Sequence, residues 1–469
     1  MDRPFKHDAR GILGCPSLRI ALLGLVWAAV CVPALSEDWP TYHHDNARTA
    51  ISSESLSLPL NEHWSFETRG QPVPGWAPPQ SEPVEGFLEL PRAQFDDVYH
   101  PVVADGTVYF GSSAENKVYA LDAATGDVRW TVFTGGAVRL APAVWNGRVY
   151  FGADDGCVYC VQATDGELVW KFRAAPTTQR LLGRGRMVSL WPIRTGLVVD
   201  DGTVYFTAGI FPGERVYLYA IRADDGAVVW TNDSISYPSG GGSSRHYGIS
   251  PQGYLLASRT KLYVPSGRNA PAVFDRANGR LMYQLGSAWG KSGLVGGTYA
   301  LLVDDLLYSG TGELTAYGGQ SGRSGLSWFP GRRLVVTGTL AYMLGDTGVC
   351  ALDREKYPEA SRRRQALKGK RASLTRARPA DLEDQLKALD EEQKDADELI
   401  AASRPWLREL TGFESMILAG NALFVGGEGQ VMALDAATGE TRWTGATNGV
   451  AKGLAVADGR LLVSTDDGT

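Results

Sequence analysis

The sequence predicts an all-β chain folded as an eight-bladed β-propeller of four-stranded antiparallel blades, its ring closed by an N-terminal strand, with a charged helical insertion in blade six. Three observations predict it. One phrase recurs as "ALDAATGDVRW" (120–130), "CVQATDGELVW" (160–170), "AIRADDGAVVW" (220–230), "VFDRANGRLMY" (273–283) and "ALDAATGETRW" (433–443). A second phrase stands upstream of most copies: "VADGTVYFGS", "VWNGRVYFGA", "VDDGTVYFTA", "LAGNALFVGG" and "VADGRLLVST". The pair returns at intervals of about forty residues, which is the mark of a repeat architecture.

Taken in chain order, residues 1–36 read as an export signal. Arg3, Lys6, Arg10 and Arg19 precede the apolar run "IALLGLVWAAVCV", and "PALSED" supplies the small residues of a cleavage site near Ser36. The run is too short for a stable membrane span, and no later stretch is long enough for one. The mature chain is therefore expected to be exported, to the periplasm or the extracellular space. Residues 37–60 read as an N-terminal extension. "NEHWSFETRG" (61–70) reads as a fourth strand without its hairpin, and residues 69–94 as a Pro-rich loop across one face.

The propeller is assigned to 61–469. Each unit contains a short apolar strand, an Asp-Gly or Asn-Gly hairpin into a strand such as "TVYFG", a turn into "KVYALD", and an "ATGD"-type turn into the strand that carries the tryptophan. Four-stranded antiparallel units repeating in this way specify a propeller. The Gly of the phrase suits a turn with positive φ, and its tryptophan suits packing between blades. Units begin near His100, Ala141, Leu197, Tyr254, Tyr299, Leu334, Ser415 and Gly453, which makes eight. The last stops at "STDDGT" without its third strand, so a further domain is expected beyond Thr469.

Residues 354–408 interrupt unit six. "SRRRQALKGKRASLTRAR" is basic, and "DLEDQLKALDEEQKDADELIAA" is acidic with Leu382, Leu386 and Leu389 at helical spacing, which predicts a helical excursion. The formal net charge of -6 argues against nucleic acid as a partner. Cys157 and Cys160 spell C-x-x-C, but in a strand residues three apart point to opposite faces, and no second pair exists to complete a metal site.

The repeated "VYALDAATGDVRW" phrase resembles the PQQ-like (quinoprotein-like) β-propeller repeat over residues 61–469, apart from the Pro-rich loop and the insertion. The resemblance implies the fold and leaves two function classes open. One is a non-catalytic exported binding or scaffold propeller, like the outer-membrane assembly propellers. The other is a quinoprotein alcohol dehydrogenase, in which PQQ sits at the ring's centre beside Ca²⁺, an aspartate base, an arginine, a stacked tryptophan and often a disulfide of adjacent cysteines. Here no cysteines are adjacent, and no aspartate maps onto such a motif. The oxygen donors Asp304, Asp305 and Glu414 fall in separate units, so no metal ligand set is assigned.

The loops that enter each first strand gather at one mouth of a propeller. Aligned on the repeat, Arg139 and Arg194 share one place, and His100, Arg332, Arg333 and Lys452 fall within two positions of it. Arg245 and His246 belong to a glycine-rich loop, and Trp191 stands beside Arg194. Several cations at one funnel favour an anion, be it PQQ, an acidic glycan or an acidic protein segment. Arg139, Arg194, Trp191, Arg332, Arg333, Lys452, His100 and His246 are thus the candidate ligand-binding residues.

Overall fold

Alternating apolar strands separated by tight turns build seven sheets of four or five strands in the computed structural model, antiparallel except for the short strand Ile51–Ser52. It describes residues 37–76, 95–236, 248–267, 271–284, 299–310, 312–319 and 325–469. The export segment, most of the Pro-rich stretch, Arg245 and His246 lie outside them. Blade one comprises Val102–Ala104, Thr107–Ser112, Lys117–Asp122 and Val128–Phe133, each pairing antiparallel with the next. Asp105 and Gly106 turn its first hairpin with φ of 48° and 67°, the positive pair that a type I′ turn requires. Blade two is built alike from Ala143–Trp145, Arg148–Gly152, Cys157–Gln162 and Leu168–Arg173, and blade three from Val198–Asp200, Thr203–Ala208, Tyr217–Arg222 and Val228–Asn232. Leu256–Ala257 opens blade four, Tyr299–Val303 blade five and Arg333–Val336 blade six.

The repeated phrase locks each blade to the next. Asp122 Oδ1 accepts the backbone N–H groups of Ala124 and Thr125, which fixes the turn. Trp130 donates its indole N–H to the Ala163 carbonyl of blade two at 3.0 Å, Trp170 to Ala223 of blade three at 2.9 Å, and Trp406 to Ala436 at 3.0 Å. Gly166 has φ 75°, and a Cβ there would come within 2.8 Å of the Trp130 ring. Glycine is thus needed twice at one position, for the turn and for the neighbour's tryptophan.

Among the described residues seven sheets form the ring, against the eight that the unit count predicted. The seventh has the order Ile51–Ser52, Phe413–Ala419, Ala422–Asp435, Thr441–Ala457, Arg460–Thr465. Thr441–Ala457 runs without a break from pairing with the third of these strands to pairing with the last, so the eighth unit is an extension of the seventh sheet. Nor do residues 61–70 form a strand. The N-terminal strand that does join the ring is Ile51–Ser52, parallel to Leu418–Ala419. One hydrophobic cluster runs from Val335 and Tyr342 through Phe424 and Leu434 to Val108 and Phe110, closing the circle between blades six and one.

Between the third and fourth strands of blade six stand two helices, α1 (Tyr357–Ala377) and α2 (Leu382–Ala402). They join through Leu367, Leu389 and Ala396. The pair docks on blade five, where Tyr357 and Ser361 both donate to the Trp328 carbonyl at 2.8 Å. Among the described residues, no helix is long and apolar enough to cross a membrane. Cys157 and Cys160 are buried in different clusters, on opposite faces of their strand, and burial pushes the two thiols up to about 11 and about 12.

Candidate functional site

The ring's axis is filled by the chain's own N-terminal segment, Trp39–Ser52, which sequence reasoning left as a plain extension. It touches the inner strands or entry loops of one blade after another. Trp39 exchanges backbone hydrogen bonds with Val103 of blade one, and Pro40 accepts from Val144 of blade two. Asn46 donates to Val199 of blade three and accepts from Ala257 of blade four, while Ala47 accepts from Leu302 of blade five. Ala50 accepts from Leu418 of the seventh sheet. Only a segment on the axis reaches all of these strands.

Arg48 pins it. This fully buried side chain donates to the carbonyls of Leu255 and Leu197, each at 3.0 Å, and to Thr41 Oγ1, Tyr42 and Asp45 in its own turn. Burial pulls its guanidinium down to about 10, so it remains charged near neutrality. Above it Tyr42 stacks on Tyr254, with ring centroids 3.5 Å apart, and on His43 at 3.9 Å. His100 meets Tyr42 edge-on, and Arg333 lies over Tyr299 at 5.1 Å. Burial lowers His100 to about 4 and holds His43 well below the ordinary imidazole value, so both imidazoles are neutral at pH 7.

At the mouth the structure does bring Arg139 and Arg194 together, but around a carboxylate of the chain itself. Asp154 accepts Arg139 Nε at 2.7 Å, Arg194 Nε at 2.6 Å and Arg194 Nη2 at 3.2 Å. Asp96 lies 3.4 Å from Arg139, and Arg139 also donates to the Val73 carbonyl. All four charged side chains are nearly inaccessible, because Val73–Trp76 lies over them: a Cβ at Gly75 would overlap Arg194 Nη1. Sequence reasoning missed Asp154, which stands in "GADDGC" and reads there as an ordinary turn between strands.

Two further candidates, Lys452 and Arg332, are paired as well. Lys452 contacts Asp97 at 2.7 Å and Asp466 at 3.4 Å, and Arg332 contacts Glu414 at 2.9 Å and Asp346 at 3.2 Å. Arg333 has no carboxylate at ion-pair distance among the described residues; it donates to the Arg332 carbonyl. Trp191 packs in the core beneath blade three and donates to the Glu214 carbonyl at 2.7 Å, so it presents no platform to the mouth. Among the described residues no group of three His, Cys, Asp or Glu side chains is placed to hold a metal ion.

Comparisons with known proteins agree with the repeat. Residues 64–324 and 402–469 match a family model described as the outer membrane protein assembly factor BamB. The dehydrogenase subunit of alcohol dehydrogenase (quinone) from Gluconobacter oxydans (strain 621H) is 26% identical over 228 residues, covering 45% of this chain and 26% of that protein. The outer membrane protein assembly factor BamB of Yersinia pestis is 32% identical over 138 residues, covering 28% of this chain and 33% of its own. The chain thus matches a third or less of either relative's length. The crystal structure of quinohemoprotein alcohol dehydrogenase from Comamonas testosteroni superposes with a TM-score of 0.55 at 16% identity, covering 91% of this chain and 76% of that one. A likeness at that identity shows the fold alone.

Proposed function

The chain belongs to the PQQ-like propeller-repeat family, and from that premise we propose that it is an exported, non-catalytic propeller that binds or scaffolds a protein partner. One observation carries the reading: the axis, where the dehydrogenase resemblance expects a quinone, holds Trp39–Ser52. A planar cofactor needs the space between aromatic faces that Tyr42 takes against Tyr254. The arginines that would meet its carboxylates are bound to Asp154. The residues present therefore do not fit PQQ with Ca²⁺, and no reaction step is drawn through that group. Among the described candidates at the mouth, Arg333 is the cation without a carboxylate at ion-pair distance.

The testing experiment is calorimetric titration of the mature chain with PQQ in Ca²⁺, with the same sample assayed for alcohol-dependent dye reduction. We expect neither saturable heat nor turnover. Saturable binding with turnover would replace the scaffold reading by a quinoprotein dehydrogenase. Export is tested by intact mass of the chain recovered from a bacterial periplasm, which should lack the residues up to about Ser36.

A further inference from the structure

We propose that Arg139 and Arg194 form a binding site for a single carboxylate group, and that Val73–Trp76 is a strap that occupies it in the closed state. This goes beyond the scaffold reading, because the site takes a carboxylate whether a protein partner or a free acid carries it. Alcohol-dependent turnover would overturn that reading and leave this proposal standing, and the failure of this proposal leaves the scaffold reading untouched.

The two guanidinium groups are held in place but not used up. Asp154 accepts Nε of Arg139, and both Nε and Nη2 of Arg194. Each arginine keeps one Nη1, and the strap lies on both. Arg139 Nη1 donates to the Val73 carbonyl, an uncharged acceptor, with Asp96 at the longer distance of 3.4 Å. Burial raises the carboxyl of Asp96, which weakens it as a counter-ion. Arg194 Nη1 is buried and has no hydrogen-bond partner among the described residues, on a side chain only 5% exposed. What meets it is Gly75, where a Cβ would overlap the nitrogen. A buried charged N–H without an acceptor is costly. Here it stands under the same four residues as a second N–H that has only a carbonyl. Two guanidinium N–H groups turned to one place are the donor set of a carboxylate. They suffice for one such group, whereas a quinone ring would still need the place that Tyr42 takes against Tyr254.

The strap is fastened mainly by groups that water can replace. Val73 N–H donates to Ser113 Oγ at 2.8 Å beside blade one, and Gly75 N–H to Asp96 at 2.7 Å. Arg184, itself exposed, donates to the carbonyls of Pro74 and Trp76 at 3.4 and 2.6 Å. At the far end the Trp76 indole donates to Gln252 at 2.6 Å and meets Phe211 edge-on. Lifting the strap exchanges these bonds for water, and a carboxylate entering beneath it supplies the acceptor that Arg194 lacks.

The probes are acetate and the capped tripeptide acetyl-Gly-Glu-Gly-amide, titrated at constant ionic strength and followed by calorimetry and hydrogen exchange. In the parent the strap must first lift, which reduces the apparent affinity by the fraction that is open. We expect weak saturable binding, with faster exchange at the Val73, Gly75 and Trp76 amides in the bound form. Gly75→Ala cannot seat the strap against Arg194 and should bind at least about tenfold more tightly. Trp76→Ala unfastens the far end without introducing an overlap and should shift affinity the same way. Adding Arg194→Lys to Gly75→Ala keeps the charge but removes the fork, and should lose at least about tenfold. Strap variants that bind no more tightly than the parent, or show no saturable binding, would overturn the proposal. So would an affinity unchanged by Arg194→Lys. A peptide bound about tenfold more tightly than acetate gives the site to an acidic side chain of a polypeptide, and equal affinities give it to free carboxylates.

Discussion

Two halves of the same axis bury arginine in opposite ways. In the N-terminal half, Arg48 is met by backbone carbonyls from its own turn and from blades three and four. At the mouth, Arg139 and Arg194 share one carboxylate, Asp154. Carbonyl dipoles neutralise no charge, but they tie a segment to several blades at once, so Arg48 acts as a peg through the ring. The carboxylate cluster cancels charge and joins only neighbouring loops, with Val73–Trp76 as its lid. Buried charge here is a fastening device, and its partners reveal what is fastened.

The comparison is broken most forcefully at the peg. Arg48→Met keeps much of the volume but leaves the Leu197 and Leu255 carbonyls and the turn at Tyr42–Asp45 without their donor. At about 1–3 kcal/mol for each buried group left unmet, we expect a loss of about 5 kcal/mol in denaturant unfolding. A loss below about 1 kcal/mol would mean that the segment is held by its backbone bonds alone. Asp154→Ala should follow closely, at about 4 kcal/mol, because it strands the buried Arg194 guanidinium and leaves Arg139 only Asp96 and the Val73 carbonyl. Arg139→Ala with Arg194→Ala should also destabilise, since Asp154 is then left alone. A double variant as stable as the parent would show that the cluster is solvated.

The blades were legible in the sequence because each feature that makes them is local: an Asp-Gly hairpin, a glycine that clears a tryptophan, a strand period of two. The axis was not, because its segment occurs once and repeats nothing. His43, His44, Arg48 and Ala50 all have positive φ, a backbone path that apolar periodicity does not encode. The mouth was half legible. Alignment on the repeat placed Arg139 and Arg194 side by side, but the chain's own counter-ion lay in what reads as an ordinary turn. Counting units overshot because Thr441–Ala457 crosses a unit boundary without a break, which a repeat count cannot see.

A smaller effect separates the halves by pH. His100, between peg and mouth, is lowered by burial from the ordinary 6.5 to about 4. Its folded value lies below its unfolded one, so as pH falls below about 6.5 the unfolded chain takes up a proton that the folded chain refuses. Stability is therefore full above that pH and falls until about pH 4, by about 3 kcal/mol for this one group. His43 shifts in the same direction and adds to the fall. Melting temperature against pH should decline over that window in the parent and less steeply in His100→Gln. Equal slopes would place the acid sensitivity elsewhere.

The smallest expected effect sharpens the comparison from outside the ring. Between α1 and α2 the same residue types pair in the open: Lys370 with Glu392 and Arg364 with Asp397, both at 3.3 Å, and Arg371 with Asp390. The Lys370 and Glu392 side chains are 60% and 48% exposed, so water has already solvated what the pair would gain by meeting. Lys370→Ala should cost at most about 0.5 kcal/mol, and raising the salt should shrink even that. The hairpin is expected to stay docked because Tyr357, Ala360 and Ile400 lie in the core beneath it, and Ser361 is bonded to Trp328. If Lys370→Ala instead cost as much as Asp154→Ala, charge rather than burial would be holding the insertion. Burial would then no longer be what distinguishes the axis arginines from those on the surface.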